Sequence, residues 1–263
     1  MISIIVPVYN TKKFLGHCIN SVKTQRFREW ECIIVNDCST DGSDKKIAEL
    51  VSWDNRFTVI HHSENKGLPA ARNTGIAAAK GDAIFFLDSD DWLERDALSD
   101  LNGYSEENPD VGRIVGLDMV HWVDKEFVTP WSISPSGLHS PDSCHLFSGN
   151  DCDVGHCTGC LYVRRNIPCR LSFPRVKIFE DMIFNMGLIF AGVSTYISTR
   201  YTYHYRRYEG TLVSAPVSIE EAGVMRKELA NLASRFNAKP EVYERCSAFL
   251  ERALQGKLNG NTL

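Results

Sequence analysis

Short apolar runs alternate with amphipathic stretches through the first hundred residues. Ser3 to Val8 is a short run rich in β-branched apolar residues, the pattern of a strand buried on both faces. Phe14, Leu15, Cys18, Ile19 and Val22 follow at helical spacing and form one stripe. Trp30 to Val35 predicts a second strand, Ser43 to Val51 a short helix and Phe57 to Ile60 a third strand. Leu68 to Lys80 is alanine-rich and helical, with Gly81 as its stop. Ala83 to Leu87 predicts a fourth strand, and a helix is expected from Glu94 to about Glu107. This alternation predicts βαβ units, a mostly parallel sheet and helices on both faces, the Rossmann-like α/β class. Ligands in such sheets bind beyond the carboxyl ends of the strands, where Tyr9, Asp37 and Asp88 all fall.

The pattern loosens between Val111 and Cys169, where prolines and glycines predict loops and short strands. Leu161 to Arg165 reads as a strand and turn, Phe179 to Ala191 as a helix and Tyr196 to Tyr205 as a strand. The uncharged run from Met182 to Thr199 is long, but its Asn, Ser, Thr and Gly residues favour a buried helix followed by a strand over a membrane span. Ser218 and Glu221 form a capping-box pattern ahead of one helix, and Pro240 opens a last one. The expected organisation is a main domain over 1–215, with halves at 1–91 and 92–215, and a helical extension at 216–263.

The 263 residues carry 29 Lys and Arg against 33 Asp and Glu, a net charge of −4, which argues against a nucleic-acid partner. The N-terminal segment has neither a basic leader nor a long apolar core, and the nine cysteines are an odd number. Reduced thiols and a cytoplasmic location are therefore expected, with any membrane contact peripheral, at the inner face. The apolar faces after residue 216 are flanked by mixed charge, which favours packing or homodimer formation over membrane binding.

Neither Gly-x-Gly-x-x-Gly nor Gly-x-x-x-x-Gly-Lys-Ser/Thr occurs at the first strand, which reads Pro7-Val8-Tyr9-Asn10-Thr11. A nucleotide bound here needs another counter-charge, and Mg²⁺ or Mn²⁺ held by carboxylates supplies one. Asp88-Ser89-Asp90-Asp91 follows an apolar strand and offers carboxylates at i and i+2; read on its own, a turn whose last aspartate caps the next helix is the preferred reading.

Four blocks in order, Pro7 to Asn10, Ile33 to Ser43, Asn65 to Gly75 and Phe86 to Asp91, closely resemble the family 2 glycosyltransferases. Glu180-Asp181 and Tyr203 to Arg207 extend the resemblance to about residue 215. It implies the glycosyltransferase-A fold and an inverting transfer from a nucleotide-sugar donor, with a divalent cation. Members of this size commonly build bacterial surface polysaccharides on saccharide or lipid-linked acceptors.

The resemblance also implies roles for individual residues. Pro7 and Tyr9 belong at the donor base, and Asp37 at a uracil imide, which favours a UDP-sugar. Arg72 faces the diphosphate or anchors the acidic loop. Asp90 is the first choice for metal ligand and Asp88 the second, through ribose or metal-bound water, with Ser89 in the donor set. Asp91 orients an acceptor or caps a helix. Asp181 is the general base with Glu180 as neighbour, and Arg206, in preference to Arg207, grips the diphosphate with Thr211. The family commonly has glycine where this chain has Cys38. His204 reads as a structural histidine ahead of a metal ligand. Cys152, His156, Cys157, Cys160 and Cys169 include one zinc-like Cys-x-x-Cys, but reduced thiols are the preferred reading. A sugar nucleotidyltransferase and a nucleotide-sugar-binding protein without turnover are the competing readings.

Overall fold

The computed structural model describes residues 1–123, 127–131, 145–147, 158–208 and 216–258. The first half follows the predicted alternation: β1 (Ile2–Val8), α1 (Lys12–Lys23), β2 (Trp30–Asn36), α2 (Ser43–Val51), β3 (Phe57–His61), α3 (Leu68–Ala78) and β4 (Ala83–Phe86). Next come β5 (Trp92–Leu93), α4 (Ala97–Glu107), β6 (Arg113–Trp122), β7 (Phe127–Trp131), β8 (His145–Phe147) and β9 (Cys160–Val163). The chain closes with α5 (Glu180–Phe190), β10 (Thr195–Arg207), α6 (Ile219–Arg235) and α7 (Pro240–Leu258).

These strands form one mixed sheet in the order β3-β2-β1-β4-β9-β6-β10-β5, with β7 on β6 and β8 on β10. Strands β1 to β4 are mutually parallel, and β9 enters antiparallel between β4 and β6. Side chains alternate between two apolar layers, as a strand's two-residue period requires. Ile5, Ile33, Val35, Ile84 and Phe86 face one layer, and Ile4, Val6, Cys32, Ile34 and Phe85 the other. Helices α1, α2 and α4 cover the second layer, while α3, α5, α6 and α7 cover the first. Both C-terminal helices therefore bury their stripes in the central core, through Met225, Leu229, Leu232, Cys246 and Leu250. The capping box forms as predicted: the Glu221 N–H donates to Ser218 Oγ at 3.1 Å, and the Ser218 N–H to Glu221 Oε2 at 2.8 Å.

The helix expected from Glu94 begins three residues later. Trp92 and Leu93 pair instead with His204 and Tyr203 as an edge strand, and the Glu94 N–H donates to Thr202 O. This short pairing fixes the residues just beyond the acidic loop. The run from Met182 to Thr199 divides into a buried helix and a strand, and among the described residues no helix is long and apolar enough to cross a membrane.

Helix α3 lies so close to β1 that a Cβ on Gly75 would collide with the Ile5 side chain. Gly75→Ala is expected to cost about 1–3 kcal/mol by overpacking and to lower Tm by several degrees, measured by thermal melting.

Candidate functional site

The parallel strands β1, β2 and β4 end on one edge, so the loops that follow them meet. Tyr9 stands there half exposed, whereas Pro7 is buried within β1 opposite Val35. Asn10 and Cys38 both take positive φ, 54° and 60°. The left-handed backbone at 38 accounts for a glycine-type position, which cysteine occupies at some cost in strain. Asn10 Oδ1 accepts from the Thr40 N–H at 2.8 Å, and Asp41 accepts from the Lys12 and Ser43 N–H groups, so Asp41 shapes the turn and starts α1. Thr11 Oγ1 and Ser89 Oγ lie 2.8 Å apart, joining the first loop to the acidic one.

Asp37 is buried and held by three donors. Oδ1 receives the Lys66 N–H at 2.9 Å and pairs with His62 Nδ1 at 2.6 Å, and Oδ2 receives the Gly67 N–H at 2.8 Å. His62 Nε2 is 3.0 Å from Thr74 Oγ1, which ties this group to α3. Sequence reasoning missed His62, because nothing in its local pattern sets it apart.

Arg72 is the centre of the site's electrostatics. Its side chain is only 2% exposed, and it donates Nη2 to Asp88 Oδ1 at 2.8 Å and Nη1 to Glu180 Oε1 at 2.6 Å. Of the two alternatives for Arg72, its observed contacts match the anchor of the acidic loop. One planar guanidinium thus spans the acidic loop and the start of α5. Burial and the neighbouring Asp181 push the Glu180 carboxyl up to about 7, partly offset by Arg72. Asp181 sits in the first turn of α5, and its Oδ1 accepts the Met182 N–H at 2.7 Å. The residue before the pair, Phe179, has φ 59°, so a sharp backbone reversal presents both acids.

Strand β10 grips the acidic loop from the other side. The Tyr203 hydroxyl donates to Asp91 Oδ2 at 2.6 Å and accepts the Asp88 N–H at 3.2 Å, while the Arg206 N–H donates to Asp91 Oδ1 at 2.6 Å. Asp91 is therefore a buried tie to β10 and caps no helix; burial and its two acidic neighbours raise its pKa. The Tyr208 hydroxyl donates to Asp90 Oδ2 at 3.0 Å. Burial and then Asp88 push Asp90 up to about 6, against the Tyr208 hydrogen bond and the Arg206 charge. Tyr203 and Tyr208 lie in or beside the Tyr-rich C-terminal block, but only the register of β10 shows which tyrosine reaches which acid.

The Arg206 guanidinium lies over Phe14 at 4.5 Å and over Trp92 at 4.8 Å, whereas that of Arg207 faces Trp122. His204 stacks on Trp92 at 4.9 Å, with Nε2 2.7 Å from Glu94 Oε1 and Nδ1 2.7 Å from His121 Nε2. Both ring nitrogens are engaged within the protein, which matches the structural reading. Thr211, Cys152, His156 and Cys157 lie outside the described residues; Cys160 is buried beside Arg113, and Cys169 is exposed.

Residues 3–163 match the family model described as Glycosyl transferase family 2. The chain is 33% identical over 253 residues to EpsH of Bacillus subtilis (strain 168), named as a glycosyltransferase, and the match covers 93% of this chain and 72% of that one. The crystal structure of S. aureus TarS 1–349 in complex with UDP-GlcNAc superimposes with a TM-score of 0.70 at 23% identity, covering 98% of this chain and 72% of that one. The mannosyltransferase PcManGT from Pyrobaculum calidifontis, in complex with GDP-Man and Mn²⁺, gives a TM-score of 0.63 at 16% identity over 98% of this chain and 72% of that one. At these identities the two structures speak to the fold, which is the glycosyltransferase-A fold.

Proposed function

Because the chain belongs to glycosyltransferase family 2, we propose that it moves a sugar from a UDP-sugar to a hydroxyl of a saccharide or lipid-linked saccharide, with inversion at the anomeric carbon, in the synthesis of a bacterial surface polysaccharide. The observation that supports this reading is the Arg72 bridge, which ties Asp88 of the acidic loop to Glu180, the neighbour of Asp181 at the head of α5. The TarS and PcManGT complexes, one with a UDP-sugar and one with Mn²⁺, support the donor and the cation.

A divalent cation suits the acidic loop. Asp88 is paired with Arg72, yet burial and the Asp88 charge still disfavour the ionised Asp90, so a further positive charge beside Asp90 would be favourable. Among the described residues no cluster of three or more His, Cys, Asp or Glu side chains forms a metal cage. Asp90 and Asp88 would hold the ion together with diphosphate oxygens and water, a mixed set that Mg²⁺ and Mn²⁺ accept. When bound, the ion supplies Lewis-acid stabilisation of the departing diphosphate.

The chain's own residues do the rest. Asp181 takes the acceptor hydroxyl's proton as its oxygen attacks the anomeric carbon, from the face opposite the breaking bond to phosphate. The Met182 N–H fixes the rotation of that carboxylate, and Arg72 holds Glu180 beside it. Tyr9 packs against the base. Asp37 shapes the base site by holding the 62–67 loop, and its three bonds leave about one carboxylate acceptor site for an imide N–H. Arg206 meets the diphosphate.

UDP with Mn²⁺, at about a hundredfold excess over Kd, is expected to raise Tm by about 5–10 °C at pH 7.5. The cation needs ionised Asp90, whose carboxyl titrates at about 6, so the shift shrinks as pH falls through that value. The metal-free fold changes oppositely: a raised carboxyl pKa means stability lost as pH rises from about 4 to 6. Asp90→Asn should abolish the Mn²⁺-dependent part of the UDP shift. An equal shift in wild type and variant would remove Asp90 from the donor site.

A further inference from the structure

A cluster of rings lies against Arg206 beside the acidic loop. His17, on the exposed side of α1, stacks on Trp92 with centroids 4.5 Å apart, and its Nδ1 lies 3.2 Å from Arg206 Nη2. An arginine has no acceptor and stays protonated, so His17 Nδ1 must be the unprotonated nitrogen of a neutral ring. Burial, Arg206 and His204 all favour that state by lowering the His17 pKa. Trp92 is fixed from its other neighbour, since His204 stacks on it almost parallel, at 4°, and is itself held by Glu94 and His121. The Arg206 guanidinium therefore lies over the rings of Phe14 and Trp92 and, among the described residues, meets His17 Nδ1 as an acceptor, at a place where its charge is felt by Asp90.

We propose that His17 is a positioning residue for Arg206: its Nδ1 and the stacked Trp92 hold the guanidinium turned toward the donor diphosphate beside Asp90. A long arginine free to rotate pays side-chain entropy for each phosphate contact, and a fixed one has already lost that freedom. This rests on the reading that Arg206 binds the diphosphate, and the experiment separates the two.

The probes are UDP in the presence of Mn²⁺, which carries the diphosphate, and uridine, which lacks it. UDP affinity is measured by titration calorimetry and uridine affinity by ligand-detected NMR. His17→Phe keeps the stack on Trp92 and removes the acceptor; His17→Asn can return an acceptor oxygen near the Nδ1 position. The expected result is a three- to tenfold loss of UDP affinity in His17→Phe, uridine affinity unchanged, and His17→Asn close to wild type. Wild-type UDP affinity in His17→Phe, equal losses for UDP and uridine, or no recovery in His17→Asn would each overturn the role of His17. Arg206→Ala is the control: unchanged UDP affinity there would overturn the assignment of Arg206 itself, whereas a large loss there with a silent His17→Phe would leave that assignment standing and remove only His17.

Discussion

Asp181→Asn should lower sugar transfer by about 10²- to 10⁴-fold while UDP affinity in the presence of Mn²⁺ stays within about twofold of wild type. The substitution keeps the side chain's shape and can keep an oxygen for the Met182 N–H, so the turn at the head of α5 survives. What it removes is the ability to take a proton from the acceptor hydroxyl. A base acts only on the reacting complex, so its loss appears in kcat and not in donor binding. The measurement is turnover with a donor chosen from a thermal-shift panel of nucleotide sugars, set beside calorimetric binding of UDP. Full turnover in Asp181→Asn would reject the base assignment. A parallel collapse of UDP binding would instead assign the residue to donor binding.

Arg72→Met should be the most destabilising single change at the site, by about 3–5 kcal/mol, with a Tm lower by roughly 10 °C or more. The guanidinium is buried, and its removal strands Glu180 at the start of α5 and Asp88 in the acidic loop without their shared cation. The penalty should depend on pH in a defined direction. Arg72 holds the Glu180 pKa down, so without it the carboxyl stays protonated to higher pH than about 7, and a protonated Glu180 needs no counter-charge. The stability gap between wild type and variant should thus be smaller at pH 5.5 than at pH 8, in chemical denaturation at both values. A gap that widens on acidification would contradict the electrostatic account of the bridge. The same variant should also weaken Mn²⁺-dependent UDP binding, because Asp88 loses the contact that orients it.

Much of the architecture was legible because its signals are local. Strand runs, the helical stripes of α1 and α6 and the capping box each need only a dozen residues to show themselves. The start of α4 was misread because Trp92 and Leu93 answer to β10, more than a hundred residues away, and not to their neighbours. The helix-cap alternative for Asp91 fails for the same reason: its partners are Tyr203 and the Arg206 backbone. For Arg72, the family resemblance left diphosphate contact and loop anchoring as alternatives, and only its contacts to Asp88 and Glu180 make the anchoring visible.

From the sequence alone came the alternation of strands and helices, the gathering of Tyr9, Asp37 and Asp88 at one sheet edge, and the identity of the acids and the arginine. The first two follow from periodicity, a property of short stretches of chain, whereas the choice of acids and arginine came from the resemblance of the motif blocks to family 2 glycosyltransferases. The tertiary structure decided the partners: His62 under Asp37, Arg72 between Asp88 and Glu180, Tyr203 on Asp91, His17 against Arg206. Each of these except the first joins residues brought together only when β10, α5 and α1 pack around the acidic loop, and a hydrogen bond of 3 Å is set by that packing, not by distance along the chain.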